Sequence, residues 1–147
     1  MENNVIISIH GKQSFEDAED ETMELVTEGR LEPDGEGSYT LSYQESEITG
    51  LEGTLTTFQI EQGRITLLRM GSVNSEMVFE EGRRHLSMYE TPYGAMSLGV
   101  NTKKMRSDIS DAGGNIEIDY AIEINHAVAG QNLFPISVRE KSPAVQQ

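Results

Sequence analysis

Two charged residues stand where alternating hydrophobicity leads one to expect apolar ones. In Ser38-Tyr39-Thr40-Leu41-Ser42-Tyr43-Gln44, the residues Tyr39, Leu41 and Tyr43 share one face, and the same parity carries on to Glu45. In residues 64–70, Arg64 and Thr66 mark the wet face, so Ile65, Leu67 and Arg69 face the other way. An isolated charge is very costly to bury, so Glu45 and Arg69 are expected to meet across an interior. A carboxylate beside a guanidinium can orient a ligand's acidic group or move a proton. The alternative, favoured by the residues alone, is a structural ion pair that closes one end of the fold.

A second segment, Tyr89-Glu90-Thr91-Pro92-Tyr93-Gly94, reads as a tight reversal, since Pro92 fixes φ and Gly94 admits positive φ. Tyr93 at its tip would either cover an opening or pack over an end of the fold. The three histidines, His10, His85 and His126, lack the short spacings of a metal site and are expected at surfaces or strand ends. Neither a nucleophile elbow nor a P-loop nor a dinucleotide fingerprint is present. There is no cysteine, which removes disulfides, thiolate ligands and cysteine nucleophiles. The expectation is therefore no metal and no cofactor.

Charge narrows the partners. The chain of 147 residues carries a formal charge of -14, of which residues 1–62 hold -13 and residues 63–147 only -1. Such a surface repels phosphate backbones, so no nucleic-acid partner is expected. Trp is absent, and the Tyr and Phe residues are not interleaved with basic ones as in a stacking platform. The acids concentrate between Phe15 and Glu36, including Glu16-Asp17-Ala18-Glu19-Asp20-Glu21, where the alternating spacing of a calcium loop is missing. That run is expected to be a solvated loop leading into a strand.

The elements that must position Glu45 and Arg69 are strands. Period-two alternation recurs along the chain and helical periodicity hardly at all. It is clearest in residues 116–124, where Ile116, Ile118, Tyr120, Ile122 and Ile124 alternate with Glu117, Asp119 and Glu123. Further strands are expected at 4–10, 22–31, 38–44, 53–61, 64–70, 75–80, 84–91, 95–101, 103–110 and 132–139. Turn signals separate several of them, such as Pro33-Asp34-Gly35-Glu36-Gly37, Glu61-Gln62-Gly63 and Asp111-Ala112-Gly113-Gly114-Asn115. Short connections make neighbours antiparallel, and about ten short strands must close into a barrel or a sandwich to protect their edges. The expectation is an all-β, up-and-down antiparallel barrel of 8–10 strands over residues 1–140, with a loose tail at 141–147. With neither an N-terminal signal pattern nor a long apolar run, no membrane partner is expected and the location is read as cytoplasmic.

These residues also carry a resemblance. Tyr39 to Gly53 (YTLSYQESEITGLEG), Arg69-Met70-Gly71, Met77-Val78-Phe79-Glu80 and Tyr89-Glu90-Thr91-Pro92-Tyr93-Gly94, in that order, resemble the YwiB-like family of small bacterial proteins, with Thr102 and the strand around Tyr120 following. The resemblance runs from about Val5 to Val138. It implies a lipocalin-like (calycin) barrel and brings no established activity. The family pattern maps onto Tyr43, Glu45, Arg69, Gly71, Thr91, Pro92, Tyr93 and Gly94, while residues 16–21 are more acidic than the family would suggest.

The functional expectation is a non-enzymatic barrel whose lumen binds a small molecule with an apolar body and an acidic or carbonyl head. Its candidate residues are Tyr43, Glu45, Arg69, Tyr89, Thr91, Tyr93 and Tyr120, lined also by Leu41, Leu67, Met88, Met96, Leu98 and Ile118. The alternatives are an enzyme of isomerase or decarboxylase type acting on a small organic acid, and a homodimeric interaction module. For the last, Leu68 and Met70 would form an outer apolar face joined by Phe58 and Ile60.

Overall fold

A computed structural model describes residues 4–14, 20–35, 37–46, 51–124 and 127–141, with only the backbone of Thr91, Val128 and Ala129. Ten strands follow one another: β1 (Val5–Ser14), β2 (Glu21–Pro33), β3 (Tyr39–Gln44), β4 (Leu55–Glu61), β5 (Arg64–Met70), β6 (Asn74–Phe79), β7 (Arg84–Thr91), β8 (Gly94–Ser107), β9 (Gly113–Ile124) and β10 (Ala127–Glu140). Each pairs antiparallel with its neighbours in sequence, and β1 pairs with β10, so the sheet closes into an up-and-down barrel. Closure leaves no outer edge strand to template unwanted pairing. The odd-numbered strands all run toward one end, here called the upper end; the connections after β2, β4, β6 and β8 lie at the lower end.

Alternation supplies the core. Val5, Ile7 and Ile9 of β1, Leu41 of β3, Phe58 and Ile60 of β4, Ile65 of β5, Phe79 of β6, Val100 of β8, Ile116 and Ile118 of β9 and Ile136 and Val138 of β10 are buried. Read across the register, Tyr39–Ile60–Ile65–Phe79 form one inward row and Leu41–Phe58–Leu67–Met77 the next row up. These rows fill the middle of the lumen with side chains, as a narrow barrel allows, and a cavity of about 340 Å3 touching Tyr39, Ile60, Met105 and Ile109 lies at the lower end. At the very bottom, the Tyr39 hydroxyl donates to Asp111 Oδ1 at 2.8 Å.

Several expectations change. The strands expected at 95–101 and 103–110 are the single strand β8, whose pairing with β9 shifts between Thr102 and Lys104. A bulge inserts a residue and re-aims side chains without ending the strand, which alternation alone reads as a break. The same irregularity, with another between Val128 and Gly130 on β10, disturbs the end of β9: Ala121 is buried while Ile122 and Ile124 are only half-buried. Phe58 and Ile60 are interior residues, because Phe58 pairs with inward Leu67 and Ile60 with inward Ile65. The outer face at this point instead shows Leu55 and Met70, themselves cross-strand partners. Met88 is likewise exposed on the outside, since Tyr89 takes the inward parity of β7. The acidic residues 16–19 and residues 142–147 of the expected tail lie outside the described residues. Among the described residues, no helix is long and apolar enough to cross a membrane.

Candidate functional site

One register row carries most of the expected chemistry. Tyr43 pairs with Thr56, Thr56 with Arg69, Arg69 with Ser75, Ser75 with Tyr89 and Tyr89 with Met96. Cross-strand partners point to the same face about 5 Å apart, so six successive strands deliver six side chains to one belt in the upper lumen. A second row, Gln13–Asn132–Tyr120–Thr102, comes from β1, β10, β9 and β8. Packing in the rows beneath fixes the parity of both.

Glu45 stands just above Tyr43 at the end of β3, and its side chain is only 1% exposed. Its carboxylate accepts a hydrogen bond from Thr56 Oγ1 at 2.5 Å, and the Tyr43 hydroxyl also bonds to it. Arg69 approaches less closely: Nε lies 4.0 Å from Glu45 Oε2, an electrostatic contact without a hydrogen bond. The expected pair therefore exists, but the hydroxyls of Thr56 and Tyr43 bond the carboxylate, while Arg69 Nε is buried without a hydrogen-bond partner. Burial, and then the charge of Glu45, raise the Tyr43 pKa well above the usual phenol range, against the lowering effect of Arg69. Burial likewise pushes Tyr120 up to about 12, again with Arg69 acting to lower it. Both phenols are neutral hydrogen-bond donors at any ordinary pH.

Four residues of these rows, Gln13, Arg69, Tyr120 and Asn132, line a cavity of about 380 Å3 in the upper half of the barrel. Its floor is apolar, made by Leu67, Met77 and Phe134; Arg69, Tyr120 and Asn132 line its wall; Lys12, Gln13, Glu21 and Met23 form its rim. Phe58 lies beneath, with its ring centroid 6.2 Å from that of Phe134. On the wall, Arg69 Nε is buried with no hydrogen-bond partner; the hydroxyls of Ser75, its neighbour in the register row, and of Thr102 are buried and unpartnered too, outside the cavity lining. Buried donors are ordinarily satisfied, and unsatisfied ones beside a cavity point to a missing acceptor. A groove of about 410 Å3, touching Ser8, His10, Arg106 and Glu117, lies on the outer surface of the wall and carries no comparable set of unsatisfied groups.

The upper turn of β5 keeps Arg69 in place. Gly71 has φ of 142°, a conformation L side chains rarely adopt, and a Cβ there would meet Gly53 O at 2.1 Å. The close approach lets Ser72 Oγ donate to Glu52 O at 2.9 Å and Val73 N donate to Thr54 Oγ1 at 3.3 Å, stitching the Arg69 turn to the segment that follows Glu45.

The structure thus brings together Tyr43, Glu45, Arg69, Tyr89 and Tyr120 of the seven candidates. Tyr93 does not join them: it is 98% exposed at the tip of the β7–β8 hairpin. The Thr91 side chain lies outside the described residues. Met96 joins the upper belt but is partly exposed, and Leu41, Leu98 and Ile118 are buried inward residues outside the cavity lining. Missed by sequence reasoning were Thr56, Ser75, Thr102 and Asn132. Small polar residues at inward parity look like ordinary strand residues until the register shows them side by side. His10 is exposed beside Glu24, while His85 bonds Glu80 at 2.7 Å; His126 lies outside the described residues. Among the described residues, no group of three or more His, Asp or Glu could hold a metal ion.

Residues 7–136 match the family described as Domain of unknown function (DUF1934). The chain is 25% identical over 125 residues to the uncharacterized beta-barrel protein YwiB of Bacillus subtilis (strain 168), covering 84% of this chain and 86% of that protein. It superposes on the crystal structure of ywiB protein from Bacillus subtilis with a TM-score of 0.80 at 24% identity, over 97% of this chain and 96% of the other. The structural match supports the ten-stranded barrel and carries no function with it.

Proposed function

The chain belongs to the DUF1934 family, a domain of unknown function, and from that premise we propose that its barrel is a non-enzymatic binding module for a small molecule with an apolar body and a carboxylate or carbonyl head. The observation that carries this reading is a cavity of about 380 Å3 above an apolar floor, with Arg69 Nε buried and unsatisfied on its wall and Ser75 Oγ, next to it in the register row, buried and unsatisfied as well. The apolar body goes down onto Leu67, Met77 and Phe134. The head stays level with Arg69, Tyr120 and Asn132, where hydrogen-bond donors are abundant. The charge of Arg69 suits an acceptor group at this level and disfavours a cationic head beside it. The volume sits at the low end of small-molecule sites, which favours a compact ligand over a long lipid.

Two aromatic probes test the proposal, 2-naphthoate with a carboxylate head and 2-acetylnaphthalene with a carbonyl head. Isothermal titration should show one-to-one binding of at least one probe and no binding of unsubstituted naphthylmethylammonium, which carries the opposite charge. Arg69→Met should abolish the preference for the head group. Binding of all three probes with equal affinity, or of none, would overturn the reading.

A further inference from the structure

The wall of the barrel is not uniformly paired. Strands β6 and β7, although consecutive, pair only at Asn74↔Glu90 and Ser75↔Tyr89, whereas the flanking β5–β6 and β7–β8 ladders extend over five and eight positions. Counting on in the same register would set Glu76 opposite Met88 and Val78 opposite Leu86, but no pairing is made there. The connecting turn is bound to β8 instead: Gly82 N donates to Thr102 O at 2.8 Å, Thr102 N donates to Arg83 O at 3.1 Å, and Met105 N donates to Glu81 Oε1 at 2.9 Å. Mechanically, β7 therefore belongs with β8 and β6 with β5. A contact of 2.7 Å between His85 Nε2 and Glu80 Oε1 clasps the seam at its lower end.

Both faces of this seam are unusual. Inside, the hydroxyls of Ser75 and Ser87 lie on its two sides, in residues 9% and 8% exposed, and neither has a hydrogen-bond partner. Met77, on the β6 side, is part of the cavity floor. Outside, Leu86 and Met88 stand 65% and 56% exposed along the β7 lip, with Glu76 and Glu90 exposed at its sides. The rim at the upper end is mixed: Lys12 is held 3.4 Å from Asp20, with Glu21 alongside, while Met23 and Leu133 add apolar surface. An apolar body crossing that rim passes the Lys12–Asp20 pair and Glu21 and must strip water from them, whereas at the lip Leu86 and Met88 offer it two exposed apolar side chains between the flanking glutamates.

We propose that β6 and β7 part along this seam to admit the apolar body of the ligand into the cavity from the side, so that the seam is the entry route of the binding site. This inference rests on the reading of the lumen as a ligand site. A ladder lacking its backbone hydrogen bonds opens at lower free energy than a paired one, and here the two sides already move with different neighbours. The Ser75 and Ser87 hydroxyls offer the head group hydrogen bonds as it passes inward.

Because the chain has no cysteine, Glu76→Cys with Met88→Cys creates a single outward-facing pair across the seam. Stopped-flow measurement of 2-naphthoate fluorescence should show uptake slowed about tenfold or more in the oxidised form and restored on reduction, with Kd changed by no more than about twofold. His85→Ala, which removes the clasp, should speed uptake several-fold. Hydrogen exchange of the ligand-free wild-type chain supplies a second readout, with residues 76–79 and 85–88 expected to exchange faster than residues 55–70. Equal uptake by the oxidised and reduced forms, or slow exchange along the seam while naphthoate still binds, would overturn the side entry and leave the binding site standing. Failure of the reduced protein and the wild type to bind either naphthoate or acetylnaphthalene would overturn the binding reading itself.

Discussion

Replacing Arg69 and Thr56 in turn separates a structural ion pair from a binding guanidinium. At 4.0 Å, the attraction between Arg69 and Glu45 is about 4 kcal/mol for an effective dielectric of 20. That gross figure is offset by the desolvation of a guanidinium whose Nε makes no hydrogen bond and whose side chain is 18% exposed. Arg69→Met, which keeps most of the apolar stem, is expected to cost about 1 to 2 kcal/mol. Thr56→Val removes a 2.5 Å hydrogen bond to a buried carboxylate, worth about 1.5 to 3 kcal/mol, and leaves an oxygen short of a partner. The threonine change should therefore destabilise the barrel at least as much as the arginine change. For binding the order reverses: Arg69→Met loses about 100-fold in 2-naphthoate affinity, roughly 2.7 kcal/mol, and Thr56→Val no more than about threefold. Urea unfolding followed by far-ultraviolet circular dichroism reads the stabilities, since the chain has no Trp to report on packing. A loss above about 4 kcal/mol for Arg69→Met, with less than about 1 for Thr56→Val, would show that Arg69 neutralises Glu45 structurally, and the reasoning would fail.

Three further outcomes follow from the same geometry. Gly71→Ala should cost more than about 2 kcal/mol in urea unfolding, because a Cβ would meet Gly53 O at 2.1 Å, and it should weaken naphthoate binding by displacing the end of β5. Phe58→Ala should cost about 3 to 5 kcal/mol and deepen the cavity, so that longer-bodied monocarboxylates gain affinity over naphthoate in the titration calorimeter. Tyr43 and Tyr120 have folded-state pKa values raised above the unfolded value of about 10, so the stability they confer is complete below pH 10 and is lost as pH rises, through about 12 for Tyr120 and higher still for Tyr43. Phenolate absorbance should accordingly show these two of the five tyrosines ionising only together with loss of the β circular dichroism signal; their ionisation in the intact barrel would contradict the assignment.

Alternation showed the barrel in the sequence almost complete, because each strand buries one face and a slip of one residue would expose it. Parity alone also placed Glu45 and Arg69 inside. It could not show that Tyr43, Thr56, Arg69, Ser75 and Tyr89 share one row, since strand register depends on turn lengths and on the shear of the closed sheet. Nor could it foresee the shifts at Thr102 and Val128, where an extra residue leaves the local pattern looking like two strands or like an unbroken one. The outward place of Met88 escapes parity for a related reason: a methionine beside a tyrosine gives hydropathy no means of choosing which faces in. The uneven charge was legible from the start, and the structure gives it a location, with Asp20, Glu21 and Glu24 near the rim and Arg69 below them.

A crystal structure of the protein soaked with 2-naphthoate tests the central claim most directly. It should show the carboxylate within hydrogen-bond distance of Arg69 and Ser75, with the ring lying on Leu67, Met77 and Phe134. An empty upper lumen, or naphthoate seated only in the outer groove beside His10 and Arg106, would contradict it.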